Sequence, residues 1–153
     1  MKENENTKVI RTESAEETER AAAAFAEELL SNGEDDAFLA LYGDLGAGKT
    51  AFVRGLASVV APGAAVRSPT YTVVNEYKAK NGKKLCHFDM YRITGEDDLY
   101  SIGFYDYENC MIAVEWSENI PYALPDRYYK VTIEKTGEES RKITIEKTGG
   151  VTL

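Results

Sequence analysis

Two periods of hydrophobicity organise this chain. After Ser14-Ala15-Glu16-Glu17, the residues Ala22, Phe25, Ala26, Leu29 and Leu30 recur at three- and four-residue spacing, which predicts a helix with one apolar face. Ser14 and Glu17 stand where a hydroxyl and a carboxylate satisfy the free amides of a helix start, and Asn32-Gly33 supplies the stop. The run AFLALY at 37–42 is continuously apolar, with charge before it and glycine after it, which predicts a strand covered on both faces. From residue 49 to about 60, Phe52, Val53, Leu56, Val59 and Val60 form another apolar helical face. Strand, glycine-rich turn and helix in that order begin a βαβ unit.

Pro62-Gly63 ends the second helix, and the alternation of residues 70–77 (TYTVVNEY) predicts a strand. Asn81-Gly82 predicts a tight antiparallel turn from it into LCHFDMY. Residues 96–102 suit a short helix closed by Gly103, and residues 111–114 a further buried strand. The pentapeptide IEKTG occurs at 133–137 and again at 145–149; alternation on both sides of Gly-Glu-Glu-Ser makes this a β-hairpin and not a functional repeat. The sum is a single α/β domain over residues 1–153 with a C-terminal hairpin at about 128–149. Its mixed sheet should be parallel around the glycine-rich loop and antiparallel where Asn81-Gly82 turns the chain.

Length and composition agree with one core: 153 residues, 43% hydrophobic and 29% charged, against a usual domain size of roughly 100–150. The formal charge of −8 opposes any direct hold on nucleic acid, because phosphate contacts supply most non-specific affinity. No apolar run approaches the roughly 20 residues that cross a bilayer. The start, MKENENTKVIRTESAEE, lacks the apolar core of a signal peptide, so a cytoplasmic location away from membranes is expected. Cys86 and Cys110 make no CxxC and are expected to be reduced thiols. With His87 they lack the fourth ligand and paired spacing of a metal site.

The chemistry concentrates at Gly43-Asp44-Leu45-Gly46-Ala47-Gly48-Lys49-Thr50, which matches G-x-x-x-x-G-K-[ST]. Average composition produces that pattern in about one 150-residue chain in 200. Here it lies between a buried strand and an amphipathic helix, where successive amides wrap a phosphate chain. Lys49 should reach the β- and γ-phosphates and Thr50 should ligate Mg²⁺. Hydrolysis further needs carboxylates at strand ends, and there are two: Asp89 closes KLCHFD and Glu115 closes MIAVE. Ser68-Pro69-Thr70 is either a nucleotide-sensing loop or a plain turn. His87, the sole histidine, shares a strand face with Asp89 and suits a hydrogen-bonding or orienting role. Trp116, the sole tryptophan, suits core packing or a partner contact. Arg54, Arg67 and Arg92 are the cations nearest the motifs, with phosphate, a partner carboxylate or a surface acid as their candidate partners.

Together these residues resemble one family. GDLGAGKT followed by Phe52-x-Arg54-Gly55, SPTYT (68–72) with Asn75-Glu76-Tyr77, HFDMYR (87–92) and VEWSEN (114–119) are similar in order and spacing to the TsaE family (older name YjeE). That family comprises the bacterial P-loop ATPases of tRNA threonylcarbamoyladenosine synthesis. The resemblance covers roughly residues 14–119, including the Ser-x-Glu-Glu-Thr start of the first helix. It implies a P-loop NTPase fold, ATP and Mg²⁺ as ligands, and two protein partners, TsaB and TsaD, that transfer the threonylcarbamoyl group. In this picture ATP hydrolysis supports repeated turnover of that core, and tRNA is met only indirectly. Carried over by residue, Asp44, Leu45, Gly46, Ala47, Gly48, Lys49, Thr50 and Ala51 bind the nucleotide, with Ser14 and Thr18 by its adenine end. Lys49, Asp89 and Glu115 are the catalytic set; Thr50, Glu115 and Asp89 serve the metal. Thr70 lies in a switch-like loop and Trp116 accompanies Glu115 as a switch or partner contact.

Three rivals use the same loop. A small-molecule kinase would need an acceptor pocket and an Arg-rich lid, yet after Tyr105 the only arginines are Arg127 and Arg141. A GTPase would carry an [NT]-K-x-D segment, and there is none. A nucleotide-gated binding module would use the triphosphate only to set affinity for a partner.

Overall fold

The strand that leads into the glycine-rich loop lies mid-sheet. In the computed structural model, which describes residues 6–44, 47–70 and 72–149, β2 (Phe38–Tyr42) has Leu39, Ala40 and Leu41 fully buried. The remaining elements are β1 (Thr7–Thr12), α1 (Ala15–Ser31), α2 (Lys49–Val60), β3 (Val74–Lys78), β4 (Lys84–Asp89), α3 (Glu96–Ser101), β5 (Cys110–Glu115), β6 (Arg127–Lys135) and β7 (Arg141–Gly149). Short 3-10 turns at Phe104–Asp106, Ser117–Asn119 and Pro121–Ala123 flank β5. The seven strands form one sheet in the order β1-β7-β6-β2-β5-β4-β3. Within it β6, β2, β5 and β4 run parallel, while β1 with β7, β7 with β6, and β3 with β4 are antiparallel. This is the mixed α/β sheet that the patterning predicts.

The two faces have separate cores. Phe25 and Leu29 of α1 and Phe52, Val53 and Leu56 of α2 pack on one face against Leu39, Leu41, Val131, Ile133, Ile143 and Ile145. On the other, Phe88 and Val114 meet Leu99, Phe104 and Ile120 under the short α3 and the 3-10 turns. Period-two alternation sends neighbouring strand residues to opposite cores. The helix termini follow local chemistry. Ser14 caps α1 by accepting from the Glu17 amide at 3.1 Å, and the Glu17 carboxylate accepts in turn from the amide of Glu13 at 2.9 Å. Gly103, at φ 70°, closes α3.

Two local expectations change. The strand predicted at 70–77 begins only at Val74. Val73 has φ 70°, and its amide donates to the Pro69 carbonyl at 2.7 Å, which keeps Val73 itself out of the ladder. A β-branched residue at positive φ interrupts a strand outright. The polar stretch Thr7–Thr12, for which the patterning predicts no element, is an edge strand paired with β7 over six residues. Val9 remains 37% exposed, while Thr12 is buried and Ile10 packs against the core.

Candidate functional site

In an open parallel sheet, the crevice outside the carboxyl ends of the strands is where ligands bind, and the predicted site residues collect there. The chain leaves β2 through Gly43, at φ 152°. A Cβ at Gly43 would lie 2.7 Å from the carbonyl oxygen of Ile133 in β6, so only glycine lets the loop run this close to the next strand. The Ala47 amide donates to the Asp44 carbonyl at 2.9 Å. Leu45 and Gly46, two of the expected nucleotide-binding residues, lie outside the described residues. Gly48, at φ 108°, precedes α2, and no side chain caps that helix. The first amides and the positive dipole end of α2 are therefore directed at the loop, an anion-binding arrangement.

Lys49 is almost fully buried. Its ammonium donates to the Gly43 carbonyl at 2.8 Å and stands 4.4 Å from the centroid of the Trp116 ring, a cation–π contact. Trp116 adopts φ 59° and ψ 40°, a left-handed conformation sparsely populated for residues with a side chain. The exposed Tyr91 ring lies against it at 5.0 Å between centroids.

Strand order brings the two carboxylates in. β5 adjoins β2, β4 adjoins β5, and Asp89 and Glu115 are direct Cα partners at the ends of those strands. Both are buried, at 6% and 5% exposure. Their contacts differ. Glu115 Oε2 accepts from the Thr50 hydroxyl at 3.3 Å and lies 2.5 Å from Nε2 of the fully buried His87. Asp89 Oδ2 accepts from the Thr70 hydroxyl at 3.1 Å, and its Oδ1 accepts from the Tyr91 amide at 2.9 Å. The Asp89 amide also donates to the Val73 carbonyl at 2.8 Å, so the loop carrying Thr70 is bound to β4.

The hydroxyl of Thr50 and the carboxylate of Glu115 meet, and Asp89 ends the neighbouring strand as the Cα partner of Glu115, so all three offer hard oxygen donors at this end of the sheet. They suit Mg²⁺, which takes one or two carboxylates and completes its octahedron with waters and phosphate oxygens. Cys86 and His87 alternate to opposite faces of β4. Cys86 and Cys110 are instead free thiols of the second core, and the neighbouring Cys110 thiol together with burial holds the Cys86 thiol far above its ordinary range. Among the described residues, no group of three or more His, Cys, Asp and Glu converges on a common point.

Beside the first turn of α2 lies a cavity of about 100 Å³ lined by Ala15, Thr18, Gly48, Ala51, Glu138, Glu139 and Arg141. Thr18 and Ala51 thus border it, whereas the Ser14 hydroxyl is engaged as the α1 cap. Thr18 also shares a buried hydroxyl contact of 2.8 Å with Thr12. Arg141 is the residue that sequence reasoning missed. Its Nε donates to the Ala47 carbonyl at 2.7 Å, and its Nη1 to the carbonyls of Gly137, Glu138 and Ser140 at 3.4, 3.3 and 2.9 Å. Ser140 donates to the Glu13 carboxylate at 3.0 Å, so the β6–β7 turn is tied to both the glycine-rich loop and the start of α1. Nothing local in Ser-Arg-Lys-Ile signals this role. Arg54 pairs at the surface with Glu19 at 3.2 Å, and the Arg67 amide donates to the Tyr77 hydroxyl at 3.0 Å.

The family model described as Threonylcarbamoyl adenosine biosynthesis protein TsaE matches residues 12–143. The Haemophilus influenzae tRNA threonylcarbamoyladenosine biosynthesis protein TsaE is 40% identical over 118 residues, 75% of this chain and 74% of that protein. Its Aquifex aeolicus namesake is 43% identical over 113 residues, 72% of this chain and 77% of that one. The Bacillus subtilis protein of the same name is 35% identical over 142 residues, covering 91% and 85%. In three dimensions the crystal structure of Bacillus subtilis YdiB aligns with a TM-score of 0.68 at 30% identity, covering 94% of this chain and 86% of that one.

Proposed function

The chain belongs to the TsaE family, and on that premise we propose that it binds and hydrolyses ATP with Mg²⁺ in tRNA N6-threonylcarbamoyladenosine modification. It acts there on the TsaB–TsaD core to support turnover. The observation that carries the reading is the meeting of Thr50, from the glycine-rich loop, with Glu115, from the end of β5, at 3.3 Å. A hydroxyl and a carboxylate from separate elements converge at the mouth of an uncapped helix.

In this mechanism the amides at the start of α2 and the Lys49 ammonium bind the phosphate chain. Phosphoryl transfer needs little covalent chemistry from the protein beyond positioning and charge neutralisation. Thr50 and Glu115, with Asp89 beside them, would hold Mg²⁺, which when bound would neutralise charge on the phosphate oxygens. Asp89, fixed by Thr70 and the Tyr91 amide, orients the attacking water. Trp116 holds Lys49 when no phosphate does, and with Tyr91 it links the site to the surface. The charge distribution supports a protein partner over a direct grip on RNA: besides the buried Glu115, residues 93–126 carry Glu96, Asp97, Asp98, Asp106, Glu108, Glu118 and Asp126 at or near the surface but no Lys or Arg. A polyanion is repelled from such a surface.

The test is ATP turnover by the purified protein with TsaB and TsaD. Lys49→Ala, Thr50→Ala and Glu115→Ala should each lower kcat by roughly 10²–10³-fold while the circular dichroism stays that of the parent. Unchanged turnover by these variants would refute the site. Phosphorylation of a metabolite without the partners would instead favour a kinase. Capture of the partners by a non-hydrolysable ATP complex, with no useful turnover, would favour a nucleotide gate.

A further inference from the structure

His87 makes one contact in the site that the mechanism above leaves without a purpose. Its side chain is fully buried in β4. Nε2 lies 2.5 Å from Glu115 Oε2, the same oxygen that accepts from Thr50, while Nδ1 is buried with no hydrogen-bond partner. An ionised carboxylate only accepts, so Nε2 must carry the proton it shares with Glu115. Nδ1 is unpartnered in either protonation form, so the one contact that orients the ring is the one at Nε2. The geometry therefore assigns to Nε2–H the donor role in this contact.

We propose that His87 is a positioning residue for Glu115: its Nε2–H fixes one carboxylate oxygen beside the Thr50 hydroxyl, so that the acid is oriented before a divalent cation arrives. A glutamate side chain has three rotatable bonds, and immobilising it only upon binding weakens affinity. Groups that hydrogen-bond a metal-ligating side chain raise metal affinity by removing that penalty. The inference rests on the reading of Glu115 as the metal-linked acid, and the experiment separates the two.

Because His87 is the sole histidine, protein carrying ¹⁵N-labelled histidine gives one pair of ring-nitrogen resonances, with no mutation needed. Without nucleotide, Nε2 should appear protonated; a dominant form with a bare Nε2 and an Nδ1–H overturns the proposal. Binding of Mn²⁺ in the presence of a non-hydrolysable ATP analogue, read by electron paramagnetic resonance, supplies the second measurement. His87→Leu fills the volume but cannot donate and should weaken Mn²⁺ binding about 10–100-fold, whereas His87→Gln, whose amide reaches the Nε2 position, should stay within about threefold of the parent. In turnover assays, the Leu variant should raise the Mg²⁺ half-saturation concentration more than it lowers kcat at saturating metal. Should the Leu variant fail to fold, the Gln variant and the ring resonances decide. Parent-like Mn²⁺ affinity in folded His87→Leu, or equal losses in folded Leu and Gln variants, overturns the positioning role. If Glu115→Ala leaves Mn²⁺ affinity unchanged, the metal reading of Glu115 falls and the proposal falls with it. If Glu115→Ala abolishes binding while His87→Leu does not, the positioning role alone is refuted.

Discussion

Gly55 gives the sharpest test of how α1 and α2 hold the site. A Cβ built on it would lie 2.2 Å from the Glu19 carbonyl oxygen, 2.8 Å from the Glu19 carbonyl carbon and 2.8 Å from the Ala22 Cβ. Carbon–oxygen contacts are comfortable from about 3.3 Å, so Gly55→Ala requires the helices to part by about 1 Å. No rotamer offers an escape, because the obstructing atoms are backbone and a Cβ. Against this, alanine gains about 1 kcal/mol of helix propensity over glycine. Overpacking costs about 1–3 kcal/mol, and a backbone obstruction places this site at the upper end, leaving a net loss of ~2 kcal/mol. For a chain of this size the midpoint of thermal unfolding should fall by roughly 4–8 °C, with a matching drop in the urea midpoint at unchanged slope. The double variant Gly55→Ala/Ala22→Gly removes the Cβ contact but not the carbonyl, and should recover less than half of the loss. A Gly55→Ala protein as stable as its parent would show that the helices slide freely and that propensity outweighs packing here. The displacement would also separate Thr18 on α1 from Gly48 and Ala51 at the start of α2, so ATP affinity should weaken in step with stability.

Two further outcomes follow from the same geometry. Arg141→Ala removes the tie between the β6–β7 turn and the Ala47 carbonyl and should weaken ATP binding about tenfold, some 1.4 kcal/mol by calorimetry. Arg141→Lys should not restore it, because an ammonium lacks the guanidinium fork that also engages the turn carbonyls; full affinity in either variant would refute the role. At the other end of the sheet, hydrogen bonds from the Lys84 ammonium and the Tyr107 hydroxyl hold the Glu76 carboxyl below its ordinary range. A depressed carboxyl stabilises the fold fully above its unfolded pKa of about 4.3 and loses that contribution as pH falls through the lower folded value. Thermal melts below that pH should therefore decline more steeply for the parent than for Glu76→Gln, and parallel curves would contradict the assignment. The effect should shrink with added salt, since the pair is partly exposed.

What could be read from the residues alone divides by range of interaction. The caps of α1, the buried run of β2, the glycine-rich loop and α2 depend on neighbours within a few positions, and their chemistry is explicit in Ser14, Glu17, Gly48 and Leu56. The Asn81-Gly82 hairpin is equally local. By contrast, β1 and Arg141 acquire their roles from partners more than 90 residues away, and neither has an apolar period to mark it. Asp89 and Glu115 are both acids at strand ends; the more apolar run MIAVE favours Glu115 from the sequence, but its place beside Thr50, with Asp89 beside Thr70, comes from the strand order. Val73 shows the reverse failure: its β-branched side chain argues for a strand, while the turn hydrogen bond to Pro69 overrides it.

The insertion of β6 between β7 and β2 also has a temporal consequence. Residues 38–42 and 49–60 are synthesised well before 127–149, yet β2 obtains its second neighbour, and Gly43 its wall at Ile133, only from that later segment. One edge of the loop-bearing strand therefore has no native partner on the ribosome until β6 emerges, and β1 waits longer still for β7. Such distant pairings are slow to close, and unpaired strand edges are the places where nascent chains associate wrongly. Nucleotide-binding competence should thus appear abruptly and late in synthesis, once the hairpin docks, and a nascent chain stopped before residue 127 should lack it.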